Sequence, residues 1–247
     1  MFYVLAGLGK RLGQPGGKKG VGESGIVITG DIGCYTLGTF PPLNAMDTTA
    51  CMGASIGQAM GMEKAGLGRK VVAVIGDSTF LHSGVTALMD AVYNGGTFTL
   101  VILDNGTTAM TGHQDHPGTG VSAQGLQATK VDLEGVVRGV GVSDVRVVDA
   151  FNIRELRRAV RAALASEELS VIIARGGCAV ITPRTGTART VDTGRCDGCD
   201  VCLLLGCPAI QKKGGQVSIE AALCAGAGCT VCQQVCPRKA IVALPEV

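Results

Sequence analysis

The sequence has no tryptophan, and aromatic residues make up only 3% of it, so its few rings could not by themselves build a recognisable pocket for an aromatic substrate. It has no run rich in lysine and arginine and a formal net charge of +2, which removes the electrostatic footprint expected of a nucleic-acid binder. No apolar stretch approaches the roughly 18 residues of a membrane helix, and residues 1–8 lack the basic lead-in and the length of a secretory signal. A cytoplasmic protein without membrane contact is the expectation.

What is present is core and backbone flexibility. Hydrophobic residues are 46% of 247, enough for one good-sized domain and a smaller one. Glycine, at 38 residues, is about twice its usual share and implies many close backbone approaches. Of eleven cysteines, eight fall between Cys196 and Cys236, while Cys34, Cys51 and Cys178 are scattered. Without a secretory signal, such clustering argues for metal before disulfides.

The chain is organised around residues 71–105. Val71 to Ile75 is a continuous apolar run of strand length closed by Gly76-Asp77-Ser78, and Phe98 to Leu103 is a second, closed by Asp104-Asn105. One helix, over about residues 84–93, separates them. Fully apolar runs on both sides of a helix indicate a βαβ unit in a parallel sheet covered on both faces. Asp77 and Asn105 then reach the same edge, outside the carboxyl ends of the strands, where such sheets hold ligands. A helix starting after Asp77 aims free N–H groups at phosphate, and a carboxylate and an amide beside it suit Mg²⁺ carrying a diphosphate. The plain alternative is a βαβ unit in which Asp77 merely caps a helix.

Around this unit, residues 1–12 read as a short helix followed by a Gly/Lys loop through residue 25. Residues 26–29 read as a buried strand and residues 48–65 as a helix rich in small residues, whose Met52, Met60 and Met62 fill core. A polar loop, 106–120, holds His113 and His116, which line a pocket mouth or face solvent; with no third ligand at regular spacing they are not a zinc site. Residues 132–139 look helical, 145–149 a strand, 152–166 an amphipathic helix capped by Asn152, and 170–174 a last strand. This alternation predicts an α/β fold with a doubly wound, mostly parallel sheet. Residues 176–194 read as a Gly/Thr-rich connector.

Gly76-Asp77-Ser78, followed at distance by Asp104-Asn105, resembles the thiamine diphosphate signature that runs from Gly-Asp-Gly to Asn-Asn, with Ser78 and Asp104 as departures. GDIGCYTLG (30–38), PPL (41–43), MDTTACMGASIG (46–57), GDSTFLHSG (76–84), AVYN (91–94) and ILDNGTTAMTGHQDHPGTG (102–120) extend the likeness over almost the whole chain. Together they resemble the indolepyruvate ferredoxin oxidoreductase alpha subunit, a family of the 2-oxoacid:ferredoxin oxidoreductases. The resemblance implies a thiamine diphosphate/Mg-binding domain over residues 1–178, a linker over 179–194 and a ferredoxin-like α+β domain over 195–247. It implies Mg²⁺ on Asp77, the Asn105 side chain and the Thr107 carbonyl, with Gly76, Ser78 and Thr79 by the diphosphate. Gly33 and Cys34 would neighbour the thiazolium, and Met52-Gly53 the aminopyrimidine. Cys34 is read as catalytic, against the alternative of an inert buried thiol. His82 stabilises charge or moves a proton in the pocket, or is a helix-start residue bonded to backbone.

The tail reads Cys196-x2-Cys199-x2-Cys202-x4-Cys207-Pro208, then Cys224-x4-Cys229-x2-Cys232-x3-Cys236-Pro237. Two thiolate runs each ending in Cys-Pro resemble the two-cluster bacterial ferredoxins, in which the fourth cysteine of each run ligates the other cluster. That likeness gives one [4Fe–4S] cluster Cys196, Cys199, Cys202 and Cys236, and the second Cys207, Cys224, Cys229 and Cys232. Cys224-x4-Cys229 is longer than the usual spacing. A pair of structural zinc sites is the alternative, but zinc motifs lack the C-x2-C-x2-C triplet.

The family reaction is oxidative decarboxylation of a 2-oxo acid, here an arylpyruvate, to an acyl-CoA, with electrons leaving through the clusters to ferredoxin; CoA is the co-substrate. A non-oxidative decarboxylase would need no clusters. The family's activating glutamate lies in a pyrimidine-binding domain that these residues do not include. Another chain is expected to supply it, beside a beta/gamma-type subunit in an oligomer, unless the sequence is a fragment. Two other readings are an iron–sulfur electron-transfer subunit with a vestigial thiamine site and a thiamine-dependent oxidoreductase for another 2-oxo acid.

Overall fold

A computed structural model of the chain describes residues 1–9 and 25–245. Six parallel strands form the main sheet in the order β2-β1-β3-β4-β6-β5. They are β1 (Ile26–Gly30), β2 (Thr48–Thr49), β3 (Lys70–Gly76), β4 (Thr99–Asp104), β5 (Asp144–Asp149) and β6 (Ser170–Arg175). Because side chains alternate along a strand, each central strand feeds two cores. Val71, Ala73, Ile75, Leu100, Ile102, Val171 and Ile173 pack with α2 (Ala54–Lys64), α4 (Val85–Tyr93) and α5 (Leu133–Gly139). Val72, Val74, Val101 and Ile172 pack on the other face with α1 (Phe2–Leu8) and α6 (Ile153–Ala165). Burial on both faces is why these strands read as unbroken apolar runs.

The register aligns the strand ends. Ile75 pairs with Ile102 and Gly76 with Leu103, while Thr29 pairs with Ala73. Asp31, Asp77 and Asn105 therefore leave the sheet along one edge.

Three local readings change. The segment 48–65 is not one helix: Thr48 and Thr49 pair with β1 as β2, and α2 begins only after Gly53, whose φ of +88° is left-handed. β-Branched threonines favour that pairing over helix. The crossover helix starts at Asp77 rather than residue 84, running from α3 (Asp77–Thr79) through a π-turn, Phe80–Gly84, into α4. The opening helix, α1, ends at Leu8 with Gly9 as its cap; residues 10–24, which hold the rest of the expected helix and most of the Gly/Lys loop, lie outside the described residues.

Within the expected connector, Arg189–Val191 forms β7, antiparallel to β10 (Ile241–Ala243). β8 (Ile210–Lys213) and β9 (Gln216–Ile219) form a hairpin whose turn residues Gly214 and Gly215 both have positive φ, as a type I′ turn requires. The tail also holds α7 (Val231–Val235), which docks on the α6 side of the sheet: Gln234 Oε1 accepts from Ile153 N at 2.9 Å and its Nε2 donates to Phe151 O at 2.8 Å. Among the described residues no helix is long and apolar enough to cross a membrane.

Candidate active site

At the carboxyl edge, a cavity of about 360 Å³ opens between β1, β3 and β4. Gly33, Cys34, Met52, Gly76, Asp77, Ser78, Thr79, Asn105 and Thr107 all line it. A second cavity, about 450 Å³, shares Asp77 and Asn105 and adds His116, Lys130 and Arg175.

Asp77, 3% exposed, is held at both oxygens. Oδ1 accepts from Ser78 N at 2.8 Å within the first turn of the helix, and Oδ2 accepts from Gly106 N at 2.8 Å, which ties the loop after β4 to β3. Asn105 Oδ1 accepts from Thr107 N at 3.0 Å, tightening the same turn. Ser78, the departure from glycine, uses its hydroxyl to join Thr108 Oγ1 at 2.7 Å across the two loops. Each Asp77 oxygen keeps a further lone pair, as does Asn105 Oδ1. Carboxylate, amide and carbonyl oxygens form the hard donor set that Mg²⁺ prefers, so these residues fit the group the resemblance implies.

Close packing explains the glycines. A Cβ on Gly76 would lie 2.9 Å from the Tyr35 ring and one on Gly33 2.3 Å from it. A Cβ on Gly53 would lie 2.3 Å from Ser83 Oγ at a left-handed φ. Gly53→Ala should therefore cost at least ~1–2 kcal/mol from backbone strain alone, seen as a lower urea midpoint with unchanged m-value. Adding Ser83→Gly should relieve the side-chain clash but not the strain.

Sequence reasoning did not single out Asp31. Fully buried after β1, it accepts from Gly53 N at 2.8 Å, from Ser55 Oγ at 3.2 Å and from the Tyr35 hydroxyl, so it fastens the loop carrying Met52 to the sheet edge. Burial pushes its carboxyl above the usual range; burial and then the Asp31 charge push the Tyr35 phenol up. Its signal was positional, since Gly-Asp follows β1 as it follows β3.

The histidines exchange places. His82 sits exposed on the π-turn and lines neither cavity, because the widened turn carries Phe80 into the core and leaves His82 outside. His113, half-buried with φ of +64°, lines neither cavity, whereas His116 is 9% exposed and its Nε2 stands 3.3 Å from Asp77 Oδ2. Its Nδ1 accepts from Gly118 N at 3.1 Å, leaving Nε2 as the donor, and Nε2 has no hydrogen-bond partner in this structure. Cys34 is exposed and lines the first cavity, unlike an inert buried thiol.

In the tail, Gly198-Cys199-Asp200-Val201-Cys202 and Gly228-Cys229-Thr230-Val231-Cys232 repeat one shape: Asp200 and Thr230 take left-handed backbone and a short helix follows each. Cys196, Cys199, Cys202 and Cys236 line one small cavity with Val191, Val217 and Ile241. Burial, then Cys236, Cys199 and Cys196, push the Cys202 thiol up. Burial, then Cys229, Cys207 and Cys224, push Cys232 up to about 11. Cys196, Cys199, Cys202 and Cys236 thus lie near one another, as do Cys207, Cys224, Cys229 and Cys232. Cys224 Sγ, despite its longer spacing, accepts from Arg189 N at 3.3 Å and Gly226 N at 3.5 Å, and Cys236 Sγ from Ala240 N at 3.3 Å. Among the described residues no three His, Cys, Asp or Glu side chains are gathered to hold a single metal ion.

Residues 31–174 match the family described as thiamine pyrophosphate enzyme, C-terminal TPP binding domain. The indolepyruvate oxidoreductase subunit IorA of Archaeoglobus fulgidus is 44% identical over 220 residues, 87% of this chain. That of Methanothermobacter marburgensis is 43% identical over 243 residues, 98% of this chain. The chain belongs to the family of the thiamine pyrophosphate enzyme C-terminal TPP binding domain and is similar to part of these IorA proteins. It covers 35% and 38% of the length of these two IorA proteins. The fold is shared with the 2-oxoglutarate:ferredoxin oxidoreductase from Magnetococcus marinus, solved with 2-oxoglutarate, coenzyme A and succinyl-CoA, at a TM-score of 0.59 and 17% identity over 72% of this chain and 61% of that one.

Proposed function

We propose that this chain is the cofactor-binding and electron-exit part of a 2-oxoacid:ferredoxin oxidoreductase that converts an arylpyruvate such as indolepyruvate, with CoA, to an acyl-CoA. The observation that carries the reading is that one chain, similar to part of the IorA proteins, gathers the Asp77–Asn105 edge around a cavity and eight tail cysteines into two sets of four. A decarboxylase that discards no electrons has no use for the second feature.

When bound, thiamine diphosphate supplies the carbon nucleophile and electron sink for loss of CO₂, and the clusters supply one-electron acceptors. Asp77, the Asn105 amide and the Thr107 carbonyl would hold Mg²⁺, and the N–H groups at the start of the helix after Asp77 would receive the diphosphate. Gly33 lets the cavity wall approach closely, and Cys34 offers a thiol at the cavity surface. His116 orients the Asp77 carboxylate from behind. His116→Ala should weaken Mg²⁺-dependent cofactor binding by ~10–100-fold in calorimetry while the fold persists, with His116→Gln intermediate.

The activating carboxylate comes, in this reading, from a pyrimidine-binding domain outside these 247 residues. The purified chain with thiamine diphosphate, Mg²⁺ and CoA should show no arylpyruvate-dependent viologen reduction. Adding the chain that carries that domain, with the beta/gamma-type subunit, should restore it. Robust turnover by this chain alone would defeat the proposal.

A further inference from the structure

Helix α6 presents Arg154, Arg157, Arg158 and Arg161 at i, i+3, i+4 and i+7, which puts four guanidinium groups on one face while Leu156, Ala159, Val160 and Ala163 face the core. All four arginines are exposed. None makes an ion pair or hydrogen bond among the described residues; Arg157 lies over the Tyr3 ring, 5.6 Å from its centroid. Arg138, Arg146, Arg175, Arg195 and Arg238, by contrast, each pair with an acid of this chain. The α6 face is therefore a concentration of uncompensated positive charge on a molecule of near-neutral balance.

These arginines form one wall of a cleft of about 1240 Å³, and the other wall is the segment 227–230, which includes Cys229. The cleft exceeds the roughly 300–1,000 Å³ usual for a small-molecule pocket. Gln234, bonded to both Ile153 and Phe151, fixes the cysteine segment against the start of α6. Asp149 is the one acid on the lining, and its Oδ1 already accepts from Phe151 N at 2.8 Å.

We infer that this arginine face is the docking surface for an acidic one-electron carrier protein, seated so that its redox centre meets the Cys207, Cys224, Cys229 and Cys232 set. The inference rests on the reading that this set holds a [4Fe–4S] cluster. One electron then leaves the reduced cluster and enters the oxidised carrier; no bond forms or breaks and no proton moves. The arginines steer and orient the carrier, an effect that salt screens.

The test uses the chain reconstituted anaerobically with iron and sulfide, in the full complex where available, and a two-[4Fe–4S] ferredoxin of strongly negative net charge. Binding is measured by calorimetry, and transfer from the dithionite-reduced chain by stopped flow, with methyl viologen as a cationic acceptor. Arg158→Glu/Arg161→Glu should weaken ferredoxin binding and slow its reduction by about tenfold or more at low salt. It should leave the iron–sulfur absorbance and viologen reduction as in the unmodified chain. In the unmodified chain, ferredoxin affinity should fall steeply with salt, a readout independent of any substitution, and Arg154→Gln/Arg161→Gln should lie between the two. Ferredoxin binding and reduction indifferent to both charge reversal and salt, with viologen reduction intact, overturns the docking surface. So does displacement of ferredoxin by micromolar CoA, which would make the cleft an anion pocket. Failure of every version to acquire an iron–sulfur chromophore sinks the cluster reading and the docking surface with it.

Discussion

Asp77→Asn is expected to lower the affinity for thiamine diphosphate in Mg²⁺ by ~100-fold or more, with the affinity no longer rising when Mg²⁺ is added. The substitution keeps the volume but exchanges one acceptor oxygen for a donor and removes the charge that faces the metal. It also has a structural cost. Both carboxylate oxygens accept a backbone N–H, from Ser78 and from Gly106, and the amide can serve only one of them. A buried donor left without an acceptor costs about 1–3 kcal/mol, so the variant should melt earlier as well. Asp90→Asn, on the exposed face of α4, is the control; it should leave cofactor affinity unchanged and stability within about 0.5 kcal/mol.

The second large effect concerns the crossed cysteines. Cys236→Ser should reduce the iron content of the reconstituted chain from about eight atoms to about four, and so should Cys207→Ser. The two losses should differ in kind. Cys236 is grouped with Cys196, Cys199 and Cys202, so its loss removes the first cluster although it belongs to the second run. Cys207, grouped with Cys229 and Cys232, removes the second although it belongs to the first run. Combining Cys236→Ser with Cys202→Ser should cost no further iron, whereas combining it with Cys232→Ser should remove nearly all. Paramagnetic resonance of the reduced singles should show one cluster each, with different signals. If Cys236→Ser and Cys232→Ser proved to remove the same cluster, the crossing would be wrong.

The parts legible in the sequence were those whose signal is local. β3, β4 and β6 announced themselves as apolar runs because burial on both faces leaves no polar alternation. The start of α6 was readable from Asn152, whose Oδ1 accepts from Glu155 N at 3.1 Å, and that of α5 from Asp132, whose Oδ1 accepts from Glu134 N at 3.2 Å. Most of the cavity lining was readable because it follows strand ends. What escaped depends on contacts distant in sequence. β2 exists through its pairing with β1, and β7 through its pairing with a strand some fifty residues away. Asp31 earns its place from bonds to Gly53 and Ser55, and His116 its burial from the fold of a long polar loop. The exposed position of His82 follows from a π-turn, which no periodicity announces.

The most direct test of the central claim is the electron balance of the assembled enzyme. With indolepyruvate, CoA and a one-electron acceptor under anaerobic conditions, CO₂ release and acceptor reduction are followed in the same vessel. Two acceptor molecules should be reduced per CO₂, with acyl-CoA as the product, and acceptor reduction should be lost when the cysteine sets are disrupted. CO₂ released with an aldehyde product and no acceptor reduction, in an enzyme that carries its full iron, would contradict the central claim.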